Sequence, residues 1–313
     1  MKRVPAPTSG LAGLALLLAS AAAPLPAAAE DGFLGLDLKG SLGEGRHSRY
    51  VPPLTNPVFN ETPYITTEAR GIYMYNEIPD GDDFVTDGGH INLGALQLRI
   101  ALTERLGFIA TKDGYADAHF NEVLDDESGF ANIAFGLKYA IISDPESESI
   151  LTAGLRYELP IADLETGGIE LQGHGNGFIN PFVTGATTFG DLGLQASVGA
   201  NVALDTEVDT SILHYSLHAD YEVFENFFPL IELNGFTPID HGNRYSGALG
   251  GLDGIDLLNF GSDDRGTTVT VGGGFRYRFT DNIQIGVGAE TPITDKKDTI
   301  MEYRVYGDVV LSF

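Results

Sequence analysis

The side chains best suited to chemistry lie in LHYSLHADYEV, residues 213–223. Ser216 stands two positions from both His214 and His218, and a hydroxyl beside an imidazole is the pairing that acyl-transfer hydrolysis uses. The same stretch alternates strictly. Leu213, Tyr215, Leu217, Ala219, Tyr221 and Val223 share one parity, and His214, Ser216, His218, Asp220 and Glu222 share the other. In a strand those parities face opposite ways, so the histidines and the serine point away from the apolar side. No motif places an acid or amide to orient either imidazole, although Asp220 shares the face. As metal ligands His214 and His218 would stand about 13 Å apart along a strand, too far to share one ion. Polar lining of an enclosed space is the expected role, and no enzymatic activity is expected.

Other candidates are weaker. GGLDGIDLLNFGSDD (250–264) carries Asp253 and Asp256 in one imperfect copy of a Gly/Asp-rich calcium-binding repeat, a motif that works in stacked copies. DGDDFVTDGG (80–89) reads as a hydrated acidic loop that could bridge to lipopolysaccharide through divalent ions. GVGAET (286–291) lacks the third glycine of a dinucleotide loop. No motif calls for a cofactor.

What positions these residues is a rhythm of alternating segments, each near the roughly 9–11 residues of a tilted transmembrane strand. They fall at about 64–76, 91–102, 106–113, 129–141, 149–160, 178–188, 191–204, 211–223, 227–237, 266–279, 282–292 and 300–313. Joins such as FG (189–190), FEN (224–226) and TDN (280–282) are short. They alternate with longer stretches at 77–90, 114–128, 161–177 and 238–265, and with 205–210 and 293–299, which are not clearly long. Short turns on one side and long loops on the other predict an all-β, single antiparallel up-and-down transmembrane β-barrel of about twelve strands. Aromatic residues near segment ends, including Tyr73, Tyr75, Tyr139, Tyr157, Tyr277 and Phe279, fit the girdle of such a barrel.

With the apolar parity outward, the inward wall carries the acids Glu68, Glu158, Asp220, Glu222, Glu232, Glu290, Glu302 and Asp308. It also carries the bases Arg70, Arg99, Lys138, Arg156, Arg276, Arg278 and Arg304. This wall is nearly neutral, although the whole chain has a net charge of −26. Two readings follow. The charges cross-link opposite walls because confined charges must pair, or they line a constriction that selects solutes. The first is expected for most pairs, with a selective path through the remainder. Inward glycines at 136, 154, 199, 272, 274, 286 and 288 either leave room for solute or accommodate a plug or strong curvature.

Lys2 and Arg3, the apolar run LAGLALLLASAAA and the small residues Ala27 and Ala29 predict a secretory signal peptide over residues 1–29. Residues 30–63 follow, rich in proline and without alternation, as a plug or a loose periplasmic segment. Residues 64–313 form the barrel. The absence of cysteine excludes disulfides and a lipidated N-terminal Cys. Strong acidity disfavours nucleic acid, or any anionic partner held by bulk charge.

The chain ends YRVYGDVVLSF, an alternating strand closed by Phe313. With the leader and the strand rhythm, this resembles bacterial outer-membrane β-barrel proteins, whose final strand is read by the barrel-assembly machinery. The strand number and Gly-rich strands are also similar to the outer-membrane transporters of the phenol-degradation-pathway (MetA-like) family. The resemblance implies location in the outer membrane, among its lipid and lipopolysaccharide. The expected function is passive passage of small solutes. A closed structural or surface-interaction barrel that binds through its long acidic loops is the alternative, and lipid hydrolysis is a third reading.

Overall fold

A computed structural model describes residues 38–80, 87–121, 124–244, 254–261, 266–296 and 299–313. The predicted signal peptide, Asp253 and most of DGDDFVTDGG lie outside the described residues.

Twelve strands form one closed antiparallel ring. They are β1 Glu68–Ile78, β2 Gly89–Ala101, β3 Leu106–Lys112, β4 Ile133–Asp144, β5 Ser149–Leu159 and β6 Phe178–Phe189. Then come β7 Leu192–Ala203, β8 Ser211–Tyr221, β9 Phe227–Asp240, β10 Thr268–Thr280, β11 Ile283–Pro292 and β12 Tyr303–Ser312. Each pairs with its sequence neighbours, and β12 returns to β1 in register from Glu68 opposite Ser312 to Glu77 opposite Tyr303. The closed ladder leaves no edge, as a membrane requires of strands. No helix of the described residues is long and apolar enough to cross a membrane, which says nothing of spanning by strands.

The distribution of polarity inverts that of a soluble protein. Leu217 is 56 % exposed, whereas its neighbours Ser216 and His218 are each 2 % exposed. Leu137, Leu155, Val183, Val198, Ile231 and Val305 are exposed likewise, and Arg70, Arg276 and Arg304 are among the most deeply buried side chains. Apolar exteriors around polar interiors are stable where the outer solvent is hydrocarbon.

The strands match the expected segments with informative shifts. The first begins at Glu68 rather than near 64, because residues 64–66 turn into the barrel: Ser41 N donates to Ile65 O at 2.8 Å and Ile65 N to Ser41 Oγ at 2.9 Å. The expected loop 114–128 contains a hairpin of Tyr115–Phe120 and Glu127–Phe130. It pairs with the loop-side half of β2, which the short β3 leaves free. The last strand starts at Tyr303, since Ile300 and Met301 both tuck inward and break the alternation. Glu302, expected on the lumen wall, instead sits outside β12 and pairs with Lys296 at 2.6 Å. Glu222 also lies beyond its strand, in the turn after Tyr221, where it accepts from Asn226 N at 3.1 Å.

Candidate functional site

The lumen is filled by the N-terminal segment. Entering from the short-turn end near Ser41, the chain runs inward through RYVPPLTNPVFNETP (49–63) and returns to the same end to begin β1. Nearly every residue from Tyr50 to Thr66 is buried.

Its local chemistry explains how it is held. Pro52, Pro53, Pro57 and Pro63 cannot donate from the backbone, so the segment cannot form a ladder and presents carbonyls that need outside donors. The wall supplies them. Arg276 donates to the carbonyls of Pro52 and, at 3.0 Å, Pro53. Gln97 donates to Pro57 at 2.8 Å and Thr152 to Pro63 at 2.6 Å. Arg156 reaches the Val58 carbonyl, Gln195 that of Val51 at 2.6 Å, and Arg278 that of Tyr50 at 3.1 Å. The two consecutive N–H groups of Leu54 and Thr55 meet one carboxylate. Leu54 N donates to Glu232 Oε1 at 2.8 Å, Thr55 N to Oε2 at 2.6 Å, and Thr55 Oγ1 to Oε2 at 2.5 Å.

Glycines complete the seat. A Cβ at Gly272 would lie 2.6 Å from Thr55 Cγ2, and one at Gly288 would lie 2.7 Å from Leu54 Cδ2. One at Gly286 would come within 2.9 Å of Leu54 Cδ1. At these positions the missing side chain makes room for the plug. Gly136, Gly154, Gly199 and Gly274 instead abut neighbouring wall atoms.

Six of the seven basic residues read from sequence serve the same segment, and Arg304 instead holds Asp256. Arg99 pairs with Glu61 at 2.7 Å and Glu68 at 3.1 Å, and Lys138 with Glu61 at 2.8 Å. Arg70 pairs with Asp308 at 2.5 Å and donates to Leu54 O at 3.3 Å; Arg276 also holds Asp308, at 2.7 Å. These pairs join nearby strands or tie the wall to the plug, rather than bracing opposite walls as expected. Glu158 pairs with Lys112 at 2.5 Å and accepts from Asn132 at 2.9 Å. Glu290 accepts from Asn234 at 2.7 Å and Tyr306 at 2.6 Å.

At the long-loop end, residues 255–260 fold into the mouth. Asp256, expected as a weak calcium ligand in a flexible loop, is 4 % exposed and pairs with Arg304 at 2.5 Å. Leu257, Leu258 and Phe260 pack with Leu54, Met74, Ile78, Ile91 and Tyr306. Interior cavities here measure about 40 Å³ and about 20 Å³, room for a few waters. Beside the larger one, burial pushes the Asp113 carboxyl up to about 6, partly countered by the bond from Leu96 N. Among the outer loops, His119 bonds Asp126 at 2.9 Å and Asp117 at 3.1 Å, and these carboxylates raise its pKa.

The hydrolytic constellation does not assemble. Ser216 Oγ donates to Asn234 Oδ1 at 2.7 Å and accepts from Asn56 at 3.4 Å. His214 takes a bond from Asn180 at 2.8 Å and stacks on Phe59 with ring centroids 4.4 Å apart. His218 lies between Glu232 and Asp220. Phe313, 43 % exposed, bonds through its N–H to Thr67 O at 3.0 Å on the short-turn rim.

Sequence reasoning missed the residues on the plug side: Arg49, Leu54, Thr55 and Glu61. The prolines were the available signal, because a proline-rich stretch with no ladder of its own must find donors elsewhere.

Comparison with solved structures places the fold among outer-membrane barrels. An outer membrane channel from Pseudomonas putida F1 aligns over 84 % of this chain and 100 % of its own, at TM-score 0.55 and 15 % identity. The NanC porin aligns over 79 % and 100 %, at 0.48 and 9 %. The KdgM porin in complex with disordered oligogalacturonate aligns over 78 % and 99 %, at 0.42 and 12 %. No relative was found among curated proteins. A family model described as "Putative MetA-pathway of phenol degradation" matches residues 62–300, from the end of the plug through eleven strands to the approach of the twelfth, and the chain belongs to that family.

Proposed function

We propose that this protein is an outer-membrane channel for passive passage of small solutes, delivered by its N-terminal leader and occluded at rest by residues 41–66. One observation carries the reading. The ring is closed by its own backbone ladder, β12 to β1, while the plug is held almost wholly by side-chain bonds to the wall. The plug can therefore leave without opening the sheet, and the surface it vacates is polar. Arg70, Arg99, Lys138, Arg156, Arg276 and Arg278 would then line the path, with Glu68, Glu158, Asp220, Glu232, Glu290 and Asp308 among them. Lipid and lipopolysaccharide surround the apolar belt, and the assembly machinery reads β12 through Phe313. The family description names phenol degradation, so small solutes of that pathway are the first to assay.

The occluded lumen equally favours a second reading, a closed barrel that binds through its long loops. A disulfide separates the two. A Cβ at Gly272 sits against the Thr55 side chain, within the approach a disulfide needs. The double variant Thr55→Cys/Gly272→Cys should be silent in a planar bilayer when oxidised and should conduct after reduction. Silence in both states, with the barrel still folded by heat-modifiable gel mobility, would leave only the closed barrel.

A further inference from the structure

His218 occupies the point where the two holds on the plug meet. Its Nδ1 lies 2.6 Å from Glu232 Oε1 and its Nε2 lies 3.2 Å from Asp220 Oδ2. Glu232 is the carboxylate that caps the Leu54 and Thr55 amides, and Asp220 is the one that pairs with Arg49 at the plug's entrance. Arg49 is steadied further by the Asp191 carbonyl at 2.8 Å and by the Phe228 ring at 5.4 Å. The imidazole is fully enclosed, so water cannot substitute for either partner. An imidazole donates from both nitrogens only as the cation; the neutral ring has one N–H and turns a lone pair towards the other carboxylate.

We propose that His218 is a proton-operated clasp: with both nitrogens protonated it joins Glu232 and Asp220 into one anchor for residues 49–55, and loss of that proton releases the plug. This deepens the channel reading and rests on it for its consequence, though not for its geometry. The other groups that bear on the site are fixed in kind. Gln195 stands opposite His218 on β7, Glu232 stands opposite on β9, Arg276 approaches Glu232 from β10, and Glu222 lies 3.8 Å from Arg49. With Glu232 and Asp220 both anionic, neutral imidazole would leave two carboxylates facing one donor. Because closure takes up a proton, mass action favours the released state as pH rises.

The chain contains no cysteine, so a spin label on Ser48→Cys reports the entrance of the plug alone. From pH 6 to pH 9 the mobile fraction of that label should rise at least tenfold, and conductance in a bilayer should rise with it. His218→Gln should be mobile at both pH values and flat between them. Asp220→Asn, which keeps the imidazole and removes one carboxylate, should begin its rise at lower pH than the parent. A label with no pH response in the parent, or a response that His218→Gln retains, overturns the clasp. A pH-responsive label in a barrel that never conducts keeps the clasp and refutes the channel.

Discussion

Glu232 concentrates more of the plug's hold than any other wall residue described, so its removal gives the most direct measure of how the lumen is closed. In Glu232→Ala the N–H groups of Leu54 and Thr55 lose their acceptor, and both residues are at most 1 % exposed. A buried donor left unpaired costs about 1–3 kcal/mol. Taking a value towards the low end for each amide, because the vacated carboxylate volume admits water, the seated plug loses about 3 kcal/mol. At about 1.4 kcal/mol per decade this is roughly a hundredfold shift of the seated–released equilibrium towards release. Glu232→Gln keeps one carbonyl acceptor and should shift it by about tenfold. The assay is the ratio of open to closed time in planar bilayers, with parent and variant compared at one pH, 6. Unheated gel mobility verifies the barrel in each variant. An intact Glu232→Ala barrel whose open-to-closed ratio stays within about threefold of the parent refutes the reasoning, because the energy removed would then have had no part in occlusion.

Four further outcomes follow from the same geometry. Gly272→Val places methyl groups where Thr55 sits and should raise conductance as Glu232→Ala does, whereas Gly43→Ala, with nothing within 4 Å of its added Cβ but a positive φ, should cost only stability. Breaking the enclosed Asp256–Arg304 pair by Asp256→Asn should destabilise the inward fold of residues 254–261 by about 3 kcal/mol, read as faster protease cleavage in that loop. Asp113 is held protonated to higher pH than usual, so the folded state binds the extra proton and stability falls as pH rises from about 4 through about 6. Asp113→Asn should remove that step in thermal unfolding, a gain near pH 7 of about 1 kcal/mol after allowance for partial solvent screening. His119 runs in the same direction with pH, although there the partners stabilise the charged form. The stability its carboxylate partners confer is present below the ordinary histidine range and lost as pH rises through its raised value, and His119→Ala should abolish this loss, a few tenths of a kcal/mol on a wet loop.

The fold was legible because a strand between hydrocarbon and a polar lumen must alternate. LHYSLHADYEV displays that constraint residue by residue, and the exposure of Leu217 beside buried Ser216 and His218 is its direct consequence. The inward bases followed from the same parity. Boundaries blurred where both flanking residues are buried for different reasons, as at Ile300 and Met301, or where a turn begins on a charged residue, as at Glu222. The plug's attachments were not legible. Glu232 meets Leu54 and Thr55 from 178 and 177 residues away, and no local period marks a contact between a proline-rich segment and a strand far along the chain. Asp256 was misread for the same reason, since an acidic residue in a Gly-rich loop carries no local trace of a guanidinium on β12.

The placement of the bases shows what the wall is built to hold. A wall meant to brace itself would set each base opposite an acid in the neighbouring strand. Among the seven bases only Arg99, opposite Glu68, and Arg304, opposite Glu290, stand so. Arg276 stands opposite Gly286, Arg156 opposite Gly136, and Lys138 opposite Gly154. Although Arg156 also bonds Asn180, opposite it on β6, a long cationic side chain beside a glycine has clear space ahead, so its head reaches the plug. There it meets carbonyls whose own residues, in the case of the prolines, bring no N–H to compete. Arg276 shows both halves of this logic, holding Asp308 with one edge of its guanidinium and two proline carbonyls with the other. Desolvating so many guanidinium groups is costly unless each is fully bonded. Releasing the plug therefore requires water to take over the bonds that the carbonyls give up. That exchange can begin where solvent already reaches the segment, at exposed Ser48 on the short-turn rim, and under the proposed function the same residues that seal the barrel at rest would line a hydrated path once the segment has left.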